Sequence, residues 1–164
     1  MDTAEQAEAA VRTVRYPPRG DRGIGSALAR SARWGRADDY LADADEHVSL
    51  FVQIESATGV RNAAEIAAVD GVFVGPSDLA ASMGLIGGQT HPDVVAAAVR
   101  VFETVRRAGK PVGINAFDPA HASAYLEAGA AFVLVGADVA MLARGSESLS
   151  EHFIPGPGTS RTVE

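Results

Sequence analysis

Short apolar runs alternate with amphipathic segments along most of the chain. Four runs lack polar alternation, as buried parallel strands do, and they lie at residues 48–54, 71–75, 111–115 and 131–135. The segments between and after them have apolar residues at helical spacing, and they cover residues 57–68, 93–108, 118–128 and 138–153. This alternation predicts an α/β fold in which parallel strands are covered by helices.

The two ends of the chain are less regular. Thr3 can cap a first helix, which the prolines and glycines of "YPPRGDRG" end. A short strand is predicted around Arg22–Gly25, followed by a loop or short helix, and an acidic surface helix is predicted at residues 37–46. The closing stretch "IPGPGTSRTVE", residues 154–164, predicts a flexible tail behind a single domain at residues 1–153.

Composition narrows the class of protein. The 164 residues are 47% apolar and 21% charged, which suits one globular domain. The formal net charge of −7 argues against a nucleic-acid or membrane partner, and the absence of cysteine excludes disulfides and thiolate chemistry. The start "MDTAEQAEAA" does not resemble a signal peptide, so we expect a cytoplasmic protein.

Polar side chains follow the predicted strands at their carboxyl ends, where ligands gather in parallel α/β folds. Gln53 and Glu55 end the first strand, Ser77 and Asp78 follow the second, and Asn115 ends the third. Adjacent parallel strands lie about 4.8 Å apart, so Glu55 and Asp78 could share one divalent cation. Two carboxylates with water and a chelating substrate suit Mg²⁺ or Mn²⁺.

Structural explanations for these residues stay open at this point. Glu55 could satisfy a helix dipole, Asp78 and Asp138 could cap helices, and Gln53 could be a paired polar residue. The four histidines show no metal-ligand spacing. The single lysine, Lys110, precedes its strand and lies at the wrong end for a Schiff base, so a keto acid here would need a metal ion as electron sink.

Three stretches together resemble the HpcH/HpaI aldolase family of metal-dependent pyruvate aldolases. They are "LFVQIES", "VDGVFVGPSDLAASMG" and "FVLVGADVAMLARG", and "RYPPRGDRGIGSALARSARWG" is similar to a further segment of that family. The combination of "VQIE" with "GPSDL" at this separation is specific. The similarity runs from about residue 2 to about residue 153.

The resemblance implies a (β/α)₈ barrel and a class II pyruvate aldolase. Such an enzyme is a carbon–carbon lyase that cleaves 4-hydroxy-2-oxo acids into pyruvate and an aldehyde, commonly as a homo-oligomer. By motif, Glu55 and Asp78 would bind the metal ion, which would be Mg²⁺, Mn²⁺ or Co²⁺. Gln53, the backbone N–H of Ser77, and Asp78 would bind the 2-oxo acid substrate.

The chain departs from the family pattern in length. A complete barrel takes about 250 residues, so this sequence predicts a partial (β/α)₈ barrel formed by about the last four or five βα units. The part that is missing would supply a histidine base, its supporting aspartate and an arginine, and we therefore assign no catalytic base. The stretch "EIAAVDGVF" is also a few residues shorter than in the family.

Two hypotheses of function follow. The first is an aldolase chain that carries the metal and keto-acid half-site. The second is a non-catalytic, truncated half-barrel that binds a metal ion or keto acid weakly, or that serves as an assembly partner. A flavodoxin-like receiver domain fits the alternation alone, but it fits the strand-end residues poorly.

Overall fold

The structure, a computed structural model, describes residues 1–154 without the side chains of residues 26 and 27. Its helices are α1 (Ala4–Val14), α2 (Tyr40–His47), α3 (Ala57–Arg61), α4 (Ala63–Ile66), α5 (Pro76–Ser82), α6 (Pro92–Arg107), α7 (Pro119–Glu127) and α8 (Asp138–Phe153). Its strands are β1 (Phe51–Ile54), β2 (Gly71–Val74), β3 (Val112–Asn115) and β4 (Phe132–Leu134). Two short 3₁₀ helices, Ile24–Leu28 and Arg30–Ala32, lie between α1 and α2.

The four strands form one parallel sheet in the order β1-β2-β3-β4. Every connection between neighbouring strands contains helix, as parallel pairing requires. The predicted α/β fold with parallel strands is therefore confirmed, with four strands in the described part of the chain. All four carboxyl ends meet at one edge of the sheet.

The hydrophobic core lies between one face of this sheet and α6. The strand residues that point into it are at most 5% exposed, and they are Val52, Ile54, Val72, Val74, Val112 and Ile114. From α6 the core receives Val94, Ala98, Val101, Phe102 and Val105. Apart from the adjacent pair Val101 and Phe102, these α6 positions recur every three or four residues, which is the spacing of one helix face. The core thus fixes the strands whose ends carry the site.

The opposite face of the sheet carries an aromatic cluster, which consists of Phe51, Phe73 and Phe132. The Phe51 and Phe132 rings meet edge to face at 5.8 Å, and the Phe73 and Phe132 rings stack at 6.1 Å. Phe51 is 46% exposed and Phe132 is 38% exposed. The Phe51 ring lies over Gly71 and the Phe132 ring lies over Gly113, where a methyl group would collide with each ring. This face is the concave side expected for a partial barrel.

Helix α8 packs differently from the other long helix, α6. None of its residues is buried, and its large apolar side chains are more than half exposed: Val139, Met141, Leu142, Leu149 and Phe153. Within residues 1–154, no helix combines the length and apolar character needed to cross a bilayer. The tail predicted for residues 154–164 lies outside the described residues apart from Ile154.

Local predictions were right at the first helix and wrong at two other places. Thr3 caps α1 and accepts a hydrogen bond from the Gln6 N–H at 3.3 Å. The strand predicted around Arg22–Gly25 is absent, and a 3₁₀ helix begins at Ile24 instead. The helix predicted at residues 57–68 is divided into α3 and α4. The Asn62 side chain at the junction donates to the Asp2 carbonyl at 2.7 Å. A contact with a residue far away in the sequence therefore stabilises the break between the two helices.

Candidate active site

The candidate site is built at the carboxyl ends of β1 and β2. Ile54 pairs with Val74, and the Gly75 N–H donates to the Ile54 carbonyl at 3.0 Å. This register brings Glu55 level with Gly75. A methyl group placed on Gly75 would lie 2.6 Å from Gln53 Nε2 and 2.9 Å from Glu55 Oε2. The structure therefore brings the Gln53 and Glu55 side chains together over Gly75.

Glu55 is a half-buried carboxylate. It makes no hydrogen bond and no ion pair with any residue in the described range 1–154. The adjacent helix α3 is capped by Ser56, whose hydroxyl accepts from the Gly59 N–H at 2.9 Å. Ser56 thus supplies the cap of α3, and Glu55 precedes that cap, outside the first turn in which a helix dipole acts on a charge. A partly desolvated carboxylate without a partner is a candidate cation ligand.

Ser77 and Asp78 lie in the first turn of α5 and are both exposed. The N-cap of α5 is Gly75, and no side chain caps this helix. Asp78 makes no hydrogen bond or ion pair within the described part of the chain, so the capping alternative does not explain it either. Leu79 and Ala80, both fully buried, fix the helix to the core. The turn that presents Ser77 and Asp78 is thus anchored while the two polar side chains face solvent.

A metal ion at this site would have two protein carboxylates as ligands, from Glu55 and Asp78. Among the described residues, no group of three or more histidine, cysteine or acidic side chains could hold a metal ion. Glu55 and Asp78 would therefore supply two carboxylates and leave the remaining positions to substrate and water. An all-oxygen donor set of this kind fits a hard cation such as Mg²⁺ or Mn²⁺.

Sequence reasoning missed a second group of residues at the same edge of the sheet. Asp118 caps α7, and its Oδ1 accepts from the His121 backbone N–H at 3.0 Å and contacts His121 Nδ1 at 2.9 Å. These contacts, the backbone one first, hold the pKa of Asp118 below its usual value. The Asp-x-x-His spacing before a helix was the available signal. Asp118 and His121 line a cavity of about 260 Å³, which Tyr125 and the predicted strand-end residues Ser77 and Asn115 also line.

The remaining sequence candidates lie apart from this group. Asp138 is the first residue of α8 rather than its N-cap, which is Ala137, and its Oδ1 accepts from the Val139 N–H at 2.8 Å. Lys110 precedes β3, at the amino end of that strand. A larger cavity of about 680 Å³ adjoins α2, and none of the predicted site residues lines it.

Gly75 provides a test of this geometry. In Gly75→Ala the new methyl group must displace Gln53 Nε2 and Glu55 Oε2, which are the ends of flexible side chains, and it also lies 3.0 Å from Glu55 Cβ, which side-chain rotation does not move. We expect both side-chain ends to rotate away and the free energy of unfolding to fall by about 1 kcal/mol. The Gln53 side-chain amide resonances in ¹H–¹⁵N spectra should shift. Gly23→Ala is the control, because no atom lies within 4 Å of the added methyl group. Unmoved Gln53 resonances in Gly75→Ala would contradict the arrangement.

Comparison with known proteins agrees with the fold and the motifs. The sequence model of the HpcH/HpaI aldolase/citrate lyase family matches residues 1–145. The hydroxypyruvate/pyruvate aldolase of Pseudomonas aeruginosa is 48% identical over an alignment of 169 positions, which covers 99% of this chain and 63% of that protein. The 4-hydroxy-2-oxo-heptane-1,7-dioate aldolase of Klebsiella pneumoniae is 47% identical over 156 residues, covering 93% of this chain and 59% of that protein.

Solved structures give the same result. A HpcH/HpaI aldolase/citrate lyase family protein from Burkholderia cenocepacia superposes with a TM-score of 0.86 at 43% identity, over 93% of this chain and 62% of that one. A HpcH/HpaI aldolase from Desulfitobacterium hafniense gives a TM-score of 0.85 at 28% identity, over 98% and 63%. The chain thus spans about three fifths of the length of these relatives. By sequence and by fold, the chain belongs to the HpcH/HpaI aldolase/citrate lyase family.

Proposed function

We propose that this chain carries the metal-binding and keto-acid-binding half-site of a class II pyruvate aldolase, which cleaves 4-hydroxy-2-oxo acids into pyruvate and an aldehyde. The observation that carries the proposal is Glu55, a half-buried carboxylate without a partner in the described range. The Glu55 side chain lies beside the Gln53 side chain over Gly75, at the end of β2, and the chain continues from Gly75 into the helix that carries Asp78. The similarity to proteins named as aldolases supports the reaction class.

In this proposal, Glu55 and Asp78 hold the divalent cation, which is Mg²⁺, Mn²⁺ or Co²⁺. When bound, the cation supplies positive charge that stabilises the enolate formed as the carbon–carbon bond breaks. Gln53 contacts the substrate with its side-chain amide. The Ser77 backbone N–H is one of the first N–H groups of α5, which have no acceptor within the helix, and it donates to the keto acid.

The proton transfers of the full reaction are assigned to residues outside this sequence. No catalytic base is assigned among Gln53, Glu55, Ser77 and Asp78, which bind and orient. We also propose that the chain works in the cytoplasm as a homo-oligomer, without a nucleic-acid or membrane partner. The net charge of −7 supports the absence of a nucleic-acid or membrane partner, and the exposed apolar side chains of α8 support the homo-oligomer.

Hydrogen exchange tests the proposed function. Pyruvate in D₂O with Mg²⁺ should lose its methyl ¹H signal faster with the chain than without it. A cation held by Glu55 and Asp78 would make the methyl protons more acidic, and solvent or buffer would then act as the base that removes them. Glu55→Gln is the matched control and should reduce the exchange rate to the protein-free value. Exchange no faster than in the protein-free sample would contradict independent enolate formation.

The second candidate function is a non-catalytic half-barrel that binds the cation and keto acid weakly or acts as an assembly partner. The aromatic cluster favours it, because Phe51 and Phe132 are exposed on a face that is covered in a closed barrel. The same experiment separates the two functions. Binding of pyruvate and cation without methyl exchange would support the non-catalytic half-barrel and contradict the aldolase half-site that forms an enolate.

A further inference from the structure

A carboxylate from the start of the chain reaches the residue that directly follows Glu55. The Ser56 hydroxyl donates a hydrogen bond to Asp2 Oδ1, and it accepts one from the Gly59 N–H at 2.9 Å. Ser56 is the N-cap of α3. A hydroxyl has only one proton to donate, so the Asp2 carboxylate fixes the direction in which Ser56 donates while Gly59 fixes where it accepts.

Asp2 is held in place by contacts that do not use its carboxylate. Its backbone N–H donates to Gln6 Oε1 at 2.7 Å, and its carbonyl accepts from Asn62 Nδ2 at 2.7 Å. Gln6 belongs to α1, and Asn62 lies at the junction of α3 and α4. Two separate elements therefore hold the Asp2 backbone. Truncation of the Asp2 side chain leaves both of these contacts in place and removes only the acceptor for the Ser56 hydroxyl.

Glu55, by contrast, has no side-chain contact that fixes its direction. Its carboxylate makes no hydrogen bond or ion pair with any residue in the range 1–154. Its neighbours in the chain are both fixed. Ile54 is fully buried in the core, and Ser56 is hydrogen-bonded to Asp2 and to α3. The direction of the Glu55 side chain therefore depends on the backbone between these two neighbours.

We infer that Asp2 is a positioning residue for Glu55 and that it acts through the Ser56 hydroxyl. The inference rests on the proposed function, which makes Glu55 a ligand of the divalent cation. Partners in the outer shell orient the groups that bind a metal ion, and a ligand that is already oriented loses less conformational freedom on binding. Asp2 raises the affinity for the cation in this way without contacting the cation itself.

The test is a Mn²⁺ titration of the full chain, followed by electron paramagnetic resonance, with two substitutions at Asp2. Asp2→Ala should weaken Mn²⁺ binding about 3- to 10-fold, the share of one hydrogen bond. Asp2→Asn keeps an acceptor oxygen for Ser56 and should restore the original affinity. Asp21→Ala is the control for the loss of a negative charge. Asp21 bonds Arg12 in the last turn of α1, and its truncation should leave the affinity unchanged.

A double-mutant cycle tests the route through Ser56. Ser56→Ala removes the hydroxyl and should by itself weaken Mn²⁺ binding about as much as Asp2→Ala does. Asp2→Ala should then cause no further loss in the Ser56→Ala chain. In the metal-free chain, the backbone amide resonances of Glu55 and Ser56 in ¹H–¹⁵N spectra should shift in Asp2→Ala and remain in place in Asp21→Ala.

The inference is overturned by unchanged Mn²⁺ affinity in Asp2→Ala, by equal losses in Asp2→Ala and Asp2→Asn, or by additive losses in the cycle. A purely structural role for Asp2 would lower the free energy of unfolding and leave the Mn²⁺ affinity of the folded chain unchanged. Unchanged Mn²⁺ affinity in Glu55→Gln would instead contradict the proposed function. The amide shifts of the metal-free Asp2→Ala chain then decide by themselves whether Asp2 directs Glu55.

Discussion

Phe102→Ala should lower the free energy of unfolding by about 3–5 kcal/mol, as truncation of a buried phenylalanine does. Phe102, on α6, is fully buried in the hydrophobic core, and its ring packs edge to face against the Tyr125 ring. Its removal leaves a cavity that the surrounding valines fill only in part. Urea unfolding followed by circular dichroism measures the change. Domains of this size are stable by about 5–15 kcal/mol in total, so the variant should be partly unfolded at low urea concentration.

Phe153→Ala is the matched control for Phe102→Ala. Phe153 lies at the end of α8 and is 59% exposed, so its truncation should change the free energy of unfolding by no more than about 0.5 kcal/mol. Equal losses in the two variants would mean that α8 packs on the core in solution, which would contradict the arrangement described above.

Glu55→Gln and Asp78→Asn should each weaken Mn²⁺ binding by at least about 10- to 100-fold, since the loss of even an outer-shell partner has an effect of that size. Each substitution keeps the shape of the side chain and removes the charge that a hard cation needs. Electron paramagnetic resonance of free Mn²⁺ during a titration measures the affinity. The free energy of unfolding without metal should change little in either variant.

Asp93→Asn is the control for Asp78→Asn. Both aspartates lie in the first turn of a helix that begins with proline, and both are exposed. If Asp78 served only the helix, the two variants would lose similar, small amounts of stability and would bind Mn²⁺ alike. Equal Mn²⁺ affinity in Asp78→Asn and Asp93→Asn would therefore contradict the metal-ligand role.

The strands were predictable because their sequences leave few alternatives. "GVFVG" and "PVGIN" are short apolar runs bounded by turn residues, and β2 and β3 occur within them. The predicted run at residues 48–54 is longer than β1, which begins at Phe51. The Leu50 N–H just before β1 bonds the Asp70 carboxylate at 2.7 Å instead of a neighbouring strand. A side-chain contact of this kind sets the boundary, and apolar patterning does not reveal it.

The errors occurred where distant residues decide the local structure. Apolar spacing alone predicted one helix at residues 57–68. Gly59 in its first turn packs so closely on the Met1 carbonyl that a methyl group there would lie 2.5 Å from it, and Asn62 bonds Asp2. The strand predicted around Arg22–Gly25 has no neighbouring strand to pair with, and Ile24 is 57% exposed.

The site could be predicted only in outline. Gln53 and Glu55 follow from strand periodicity, because residues two apart share a face. Their position over Gly75 also follows from the register of two strands, which the sequence does not specify by itself. The cavity at Tyr125 was not predictable. It depends on how α7 packs against α6 through the Phe102–Tyr125 contact, and the spacing of these residues along the chain does not reveal that contact.

The rings of Phe51 and Phe132 have a consequence for how this sheet can evolve. Each ring occupies the space that a side chain on the neighbouring strand would need, at Gly71 and Gly113 respectively. In the pairs Phe51–Gly71 and Phe132–Gly113, the aromatic ring therefore fills the space above the glycine of the adjacent strand. A larger residue at Gly71 or Gly113 is compatible with the sheet when its aromatic neighbour shrinks at the same time. Across homologous sequences the members of each pair should covary, with their summed size held nearly constant.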